Sequence, residues 1–384
     1  IGVIYGFPFR TEILAGARSR AKSGLSNVPM QSGAGHRARL LRNALPAVSL
    51  VVLLATIFIM QPRAMSYMGM NLMLNLAVPI ALATIAQMLI ITVNDLDLSL
   101  GSFISFVACV AATLLNDHPW LGCLALVGCI GVYALLGALI HIRQLPAIVV
   151  TLGMSFIWIG GAVLLLPAPG GSAPQWLQAL VKIKTPLLPF AVVVCVLLAI
   201  AVHLFLMRST LGVVLRGAGG NPLAIAKAGW SLLRIKVTLY AMAGCFGVLS
   251  GLFLVGLTTS ADANMALRYT LLSIAGVILG GGEFTGGRVS PIGAVLGALT
   301  LVLAGSLLSF IRISPDWQIG AQGAILILVL ALRTAVNRLQ VRPVLTCPCI
   351  SIARAANPGC GRFWLRCWCG WPHWPLPVAK APPR

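Results

Sequence analysis

Leu72-Met-Leu-Asn-Leu-Ala-Val-Pro-Ile-Ala-Leu-Ala-Thr-Ile-Ala-Gln-Met-Leu-Ile-Ile-Thr92 carries no charged residue. A helix crosses a bilayer core with about 20 mostly apolar residues. This stretch is long and apolar enough, so it reads as a spanning helix. The same pattern recurs along the chain. Runs at Ala44–Met60, Leu98–Leu115, Leu121–Ile140, Leu145–Leu166, Pro186–Leu206, Val237–Leu257, Tyr269–Gly280, Pro291–Ile311 and Gln318–Leu332 bring the expected total to about ten transmembrane helices. Tyr269–Gly280 is short and Gly-flanked, and reads either as a span or as a broken, re-entrant segment.

Composition agrees. Hydrophobic residues make up 59% of the 384 positions and charged residues only 9%, against about 25% charged in soluble domains. A soluble fold of this length cannot hide so much apolar surface, because its exterior must stay wet and charged. The expected class is therefore all-α, a polytopic membrane protein with one short cytoplasmic helix besides its spans.

The formal charge is +20. The basic residues lie mostly outside the apolar runs, where they act as topology determinants and as contacts to membrane lipid. No interleaving of aromatic and basic residues marks a nucleic-acid face. With the N-terminus inside and the spans alternating, only Arg63, Lys182, Lys184, Arg268 and Arg312 of the 27 lysines and arginines fall outside. Both termini are thus expected in the cytoplasm. Residues 1–43 form a basic arm, 44–335 the transmembrane domain, and 336–384 a basic tail rich in Pro, Trp and Cys; both ends are expected to be disordered. The tail cysteines (Cys347, Cys349, Cys360, Cys367, Cys369) lack the paired spacing of common zinc sites. Neither a metal nor a cofactor is expected.

Three polar segments carry the functional signal. The first is Arg216-Gly-Ala-Gly-Gly-Asn-Pro-Leu-Ala-Ile-Ala-Lys-Ala-Gly229. Gly219 and Gly220 allow a tight turn, Asn221 is a good N-cap, and Pro222 fits the first helical position. Ala224, Ile225 and Lys227 continue the helix and Gly229 ends it. Such a helix, too short to cross a membrane, is either an ordinary capped loop helix or a docking knob for a separate motor. The second segment is Asn94-Asp-Leu-Asp-Leu-Ser99, with two of the seven acidic residues. Asp97 or Ser99 is placed to cap a helix beginning at Leu98, and Asn94, Asp95, Asp97 and Ser99 are equally candidates for a solute path. The third, around Gly281, Gly282, Glu283, Gly286, Gly287 and Arg288, looks like a phosphate loop but lacks the Lys-Ser/Thr that a P-loop needs. A tight turn with a Glu283–Arg288 ion pair is expected there instead. If ATP drives this protein, another chain hydrolyses it.

Together these segments resemble the permease subunits of ribose-type ABC importers, a family with carriers for ribose, xylose, arabinose, galactose and autoinducer-2. Asp97, Leu98, Ser99 and Gly101 match the family's Gly-Gly-Ile-Asp-Leu-Ser-Val-Gly pattern, with Asn94-Asp95 standing where the family has Gly-Gly. Gln144-Leu-Pro-Ala-Ile-Val-Val-Thr-Leu-Gly153 is similar to its Pro-Pro-Phe-Ile-Ala-Thr-Leu-Gly stretch. Arg216–Gly229 is similar to its cytoplasmic loop, and Gly280–Arg288 to its glycine-rich loop. The resemblance covers roughly residues 45–335. It implies a permease dimer (homo- or heterodimer) in the inner membrane, a cytoplasmic ABC ATPase gripping the loop around Asn221–Gly229, and a periplasmic solute-binding protein. No chemistry would be catalysed by this chain itself. Permeation of branched-chain amino acids or nucleosides, or ion-coupled secondary transport through Asp95 and Asp97, are the alternatives.

Overall fold

The computed structural model describes residues 33–311, apart from Lys184, 186–188 and Thr285, together with scattered positions between 317 and 331; side chains are described from residue 46. The helices in chain order are α1 (Gly33–Met60), α2 (Tyr67–Leu74), α3 (Ala77–Ile91), α4 (Leu100–Ala112), α5 (Leu114–Asp117), α6 (Pro119–Arg143), α7 (Ala147–Leu165), α8 (Gln175–Val181), α9 (Phe190–His203), α10 (Thr210–Gly220), α11 (Pro222–Lys227), α12 (Leu232–Thr258), α13 (Leu267–Leu279) and α14 (Pro291–Phe310). A π-turn, Leu204–Arg208, prolongs α9. Among the described residues, seven helices are long and apolar enough to cross a membrane, and Pro46–Met60 and Leu267–Leu279 are shorter apolar helices. The expected tenth span, 318–332, and the tail fall largely or wholly outside the described residues. Helix α1 begins at Gly33, inside the segment read as a basic arm.

The opening stretch became α2 and α3. Every residue of α3 is buried, because α9, α12, α13 and α14 pack around it. That is the expected fate of a helix with no polar face. Helices α6, α7 and α9 lie at the periphery and turn Leu124, Val127, Phe156, Ile157, Leu197 and similar side chains outward. Such a surface suits hydrocarbon and would aggregate in water.

Small residues let the helices approach. A Cβ on Gly293 would strike the Gly280 carbonyl, and one on Gly297 would strike that of Gly276. Helices α13 and α14 therefore cross backbone to backbone, the arrangement expected of small residues at membrane interfaces. Gly244, Gly247 and Gly251 play the same part in α12, receiving Tyr133, Phe103 and Val107.

Two helices begin halfway through the bundle. Gly247, near the midpoint of α12, packs on Phe103 in the first turn of α4. Helix α4 thus starts at mid-depth and rises to Ala112, whose carbonyl accepts from Ser172 N–H at 3.0 Å. Helix α13 starts at the same level and runs the opposite way. The Gly101 N–H donates to Thr270 Oγ1 at 2.9 Å, and the Ala266 N–H donates to Ser105 Oγ at 3.0 Å. Each helix thereby supplies a partner for an N–H group at or beside the other's start. Tyr269–Gly280 is accordingly too short to cross alone: at about 1.5 Å per residue, α13 covers only about 20 Å of a roughly 30 Å core.

Candidate functional site

The chain between α3 and α4 leaves helical geometry at membrane depth, where unpaired backbone groups cost several kcal/mol. Side chains from four helices pair with the polar groups of this break. Thr151 of α7 accepts from Leu98 N–H at 3.1 Å. With its amide oriented to match, Gln87 of α3 donates to the Asp97 carbonyl and accepts from the Asp97 N–H, both at 3.2 Å. Tyr133 of α6 donates to Asp97 Oδ2 at 2.7 Å. Ser99 donates through both N–H and hydroxyl to Asp97 Oδ1, each at 2.7 Å. Asp97 is fully buried. Ser99 is the N-cap residue of α4, which begins at Leu100 and not at Leu98, and its side chain does no capping.

Asp95 points elsewhere. Its Oδ2 lies 2.8 Å from Lys236 Nζ and accepts from Tyr240 Oη at 3.0 Å. Both partners sit on α12. Little water reaches this pair, so each charge needs the other.

At the same end of the bundle lies α11. Asn221 Oδ1 accepts from Ala224 N–H at 3.0 Å, Pro222 occupies the first turn, and Gly229 adopts φ +88° just after the helix. No residue of α11 is buried, and Leu223 is 74% exposed. Gly219 and Gly220 differ from expectation: they are the last residues of α10 and not a tight turn. Gly219 serves close approach instead. A Cβ there would strike the Thr92 carbonyl and crowd the backbone of Gly287.

The glycine-rich loop joins α13 to α14. Gly281, Gly286 and Gly287 have φ of +97°, +87° and +64°, conformations that other residues adopt only under strain. Glu283 and Arg288 do approach, at 3.6 Å, but Arg288 is largely exposed, so the pair contributes little. No strand precedes the loop, as a phosphate loop would require.

The three segments, far apart in sequence, meet at Asn94. Its Nδ2 donates to the Gly219 carbonyl at 2.8 Å, and its Oδ1 accepts from Gly286 N–H at 3.0 Å. Between α11 and the glycine-rich loop opens a cleft of about 690 Å³ that Arg216, Asn221, Ile225, Glu283 and Arg288 help to line. Among the described residues no group of three His, Cys, Asp or Glu is placed to hold a metal.

The family model for the branched-chain amino acid transport system / permease component matches residues 69–330. The chain belongs to this permease family. Relatives include the galactose/methyl galactoside import permease of Haemophilus influenzae, 26% identical over 307 residues, 74% of this chain and 91% of that one. The ribose import permease of Escherichia coli K12 is 25% identical over 294 residues, covering 73% and 90%. The fructose import permease of Rhizobium meliloti is 26% identical over 303 residues, covering 75% and 84%. No solved structure matches. The permease is thus a multi-pass membrane transport component.

Sequence reading missed the partners of the break. Gln87, Tyr133, Lys236 and Tyr240 were visible only as polar residues in or beside apolar runs, and Thr151 only as part of the Gln144–Gly153 stretch with no role assigned. That cost was the available cue, since a polar side chain is kept at membrane depth when it has work to do.

Proposed function

We propose that this chain is the translocating subunit of an ATP-driven importer of a sugar or similar small polar solute, seated in the inner membrane. The observation that carries the reading is α11: a capped helix with no buried residue, set on a body otherwise built to be enclosed. A helix that buries nothing in its own chain is suited to bury its exposed Leu223 face in another. The import functions in the relatives' names supply the direction of transport and the solute class. A cytoplasmic ATPase docks on α11, a periplasmic binding protein delivers solute on the far side, and a second permease chain completes the path. Hydrolysis takes place in the ATPase.

Charge gives the orientation. Asn94, where the break starts, the α10–α11 elbow and the glycine-rich loop share one end of the bundle, and most described Lys and Arg outside the helices' apolar stretches lie there. The positive-inside rule supports a cytoplasmic reading of that end, and the charge of the two terminal segments supports the same side for both termini. Direct ion coupling through the carboxylates has less support, because Asp95 is paired with Lys236 and Asp97 has donors on both oxygens.

Two measurements test this. The first is cross-linking from positions 221–229 in the purified full-length protein, which should capture an ATPase. The second is ATP-dependent uptake of labelled galactose, ribose and fructose. Uptake that continues without any ATPase would favour a secondary carrier and overturn the reading.

A further inference from the structure

We propose that Asn94 is a positioning residue for transport: a two-ended staple through which displacement of α11 reaches the polar break at the bundle's centre. The proposal rests on the docking reading above and extends it to a residue that touches neither motor nor solute.

The elbow α10–α11–α12 is anchored on both sides of its exposed helix, and the two anchors are neighbours in sequence. On the α10 side, Asn94 Nδ2 holds the Gly219 carbonyl at 2.8 Å. On the α12 side, Lys236, in the second turn, holds Asp95 at 2.8 Å. Helix α11 protrudes between these two points. Whichever way it is pushed, the load arrives at residues 94 and 95. Two residues further lies the Asp97 carboxylate, which α4 and α6 share through Ser99 and Tyr133.

The other end of the Asn94 amide holds Gly286 N–H at 3.0 Å. The glycine-rich loop must therefore move with the elbow or release it. Backbone contact enforces this, since Gly219 has no room for a side chain beside Thr92, nor Gly287 beside the Arg216 carbonyl. Asn94 itself has φ +63°. A non-glycine residue persists in that conformation when its surroundings determine it, and here two long-range hydrogen bonds do so.

The test uses the full-length permease in lipid nanodiscs and proteoliposomes, with the ATPase that co-purifies, and galactose, ribose and fructose as probes. Asn94→Gly keeps the left-handed backbone and removes both bonds. Asn94→Asp keeps an acceptor for Gly286 N–H and loses the donor to Gly219. Ser250→Ala, which removes a buried bond to the Pro79 carbonyl, is the control for mere destabilisation.

Asn94→Gly should raise amide exchange at Gly286 about tenfold. It should also raise the ATP hydrolysed per sugar imported at least threefold, with ATPase binding unchanged. Asn94→Asp should retain the Gly286 protection and give an intermediate ratio. Ser250→Ala should lower thermal stability without moving the ratio. A wild-type ratio in either Asn94 variant overturns the proposal, as does an equal rise in Ser250→Ala. If the wild-type chain retains no ATPase, or imports none of the three sugars with ATP, the docking reading itself falls and the proposal with it. That result is distinct from coupled transport indifferent to residue 94.

Discussion

Tyr133 donates its hydroxyl proton to the buried Asp97 carboxylate at 2.7 Å, joining α6 to the non-helical break before α4. Removing that donor leaves one carboxylate oxygen short of a partner where water does not reach. Tyr133→Phe should cost about 1–3 kcal/mol and lower the apparent Tm in detergent by several degrees. Asp97→Asn, whose one carbonyl oxygen can still accept from Ser99 while its amide nitrogen can donate to the Tyr133 hydroxyl, should cost less than Asp97→Ala. Equal losses for the two Asp97 variants would count against the hydrogen-bonded role.

The Lys236–Asp95 pair should behave as a unit. Either Lys236→Met or Asp95→Leu alone strands a charge near the bundle interior. Each should cost about 2–3 kcal/mol, less than the 3–5 of a fully buried pair because some water reaches it. The double variant should recover most of that loss, since it strands nothing. Thermal unfolding of the four proteins closes the cycle, and strict additivity would show that the two groups do not interact.

Glycines in this chain should sort into two classes. Gly293→Ala and Gly280→Ala drive a methyl into the facing helix backbone and should sharply reduce folded yield. Gly128→Ala and Gly160→Ala meet nothing within 4 Å. They should be neutral or stabilising by up to about 1 kcal/mol, through helix propensity alone. Size-exclusion profiles of fluorescent-protein fusions would separate the classes.

Surface changes on α11 should leave the body intact and affect coupling. Leu223→Asp should keep the wild-type apparent Tm and lose ATPase retention during purification. Asn221→Ala removes the cap, at about 1 kcal/mol, and should weaken that retention partially. A Leu223→Asp protein that still binds its ATPase normally would show that the motor docks elsewhere.

Much of the architecture could be read directly, because the bilayer imposes one rule on every span. Apolar runs located the helices to within a few residues at most ends; the starts of α1, α2 and α12 are the exceptions, at Gly33, Tyr67 and Leu232 where Ala44, Leu72 and Val237 were expected. The capping chemistry of Asn221, Pro222 and Gly229 was equally plain, being local. The arrangement of the break was not. Asp97 meets Tyr133 and Asp95 meets Tyr240 only because of how helices pack, and no local pattern encodes that. Gly219 misled for the same reason: its lack of a side chain suggested a turn, whereas it serves contact with Thr92. Asn94 in place of the family's Gly is explained by its φ of +63°, since glycine is the default at such a position and asparagine a common substitute.

Because α3 is wrapped on all sides, it has no freedom to slide. Shifting it would mean unpacking several neighbours at once, whereas α6, α7 and α9 can exchange one outward neighbour for another as they tilt. Burial on every side makes α3 the natural stator of whatever cycle carries solute across, and the search for open and closed states belongs on the rim.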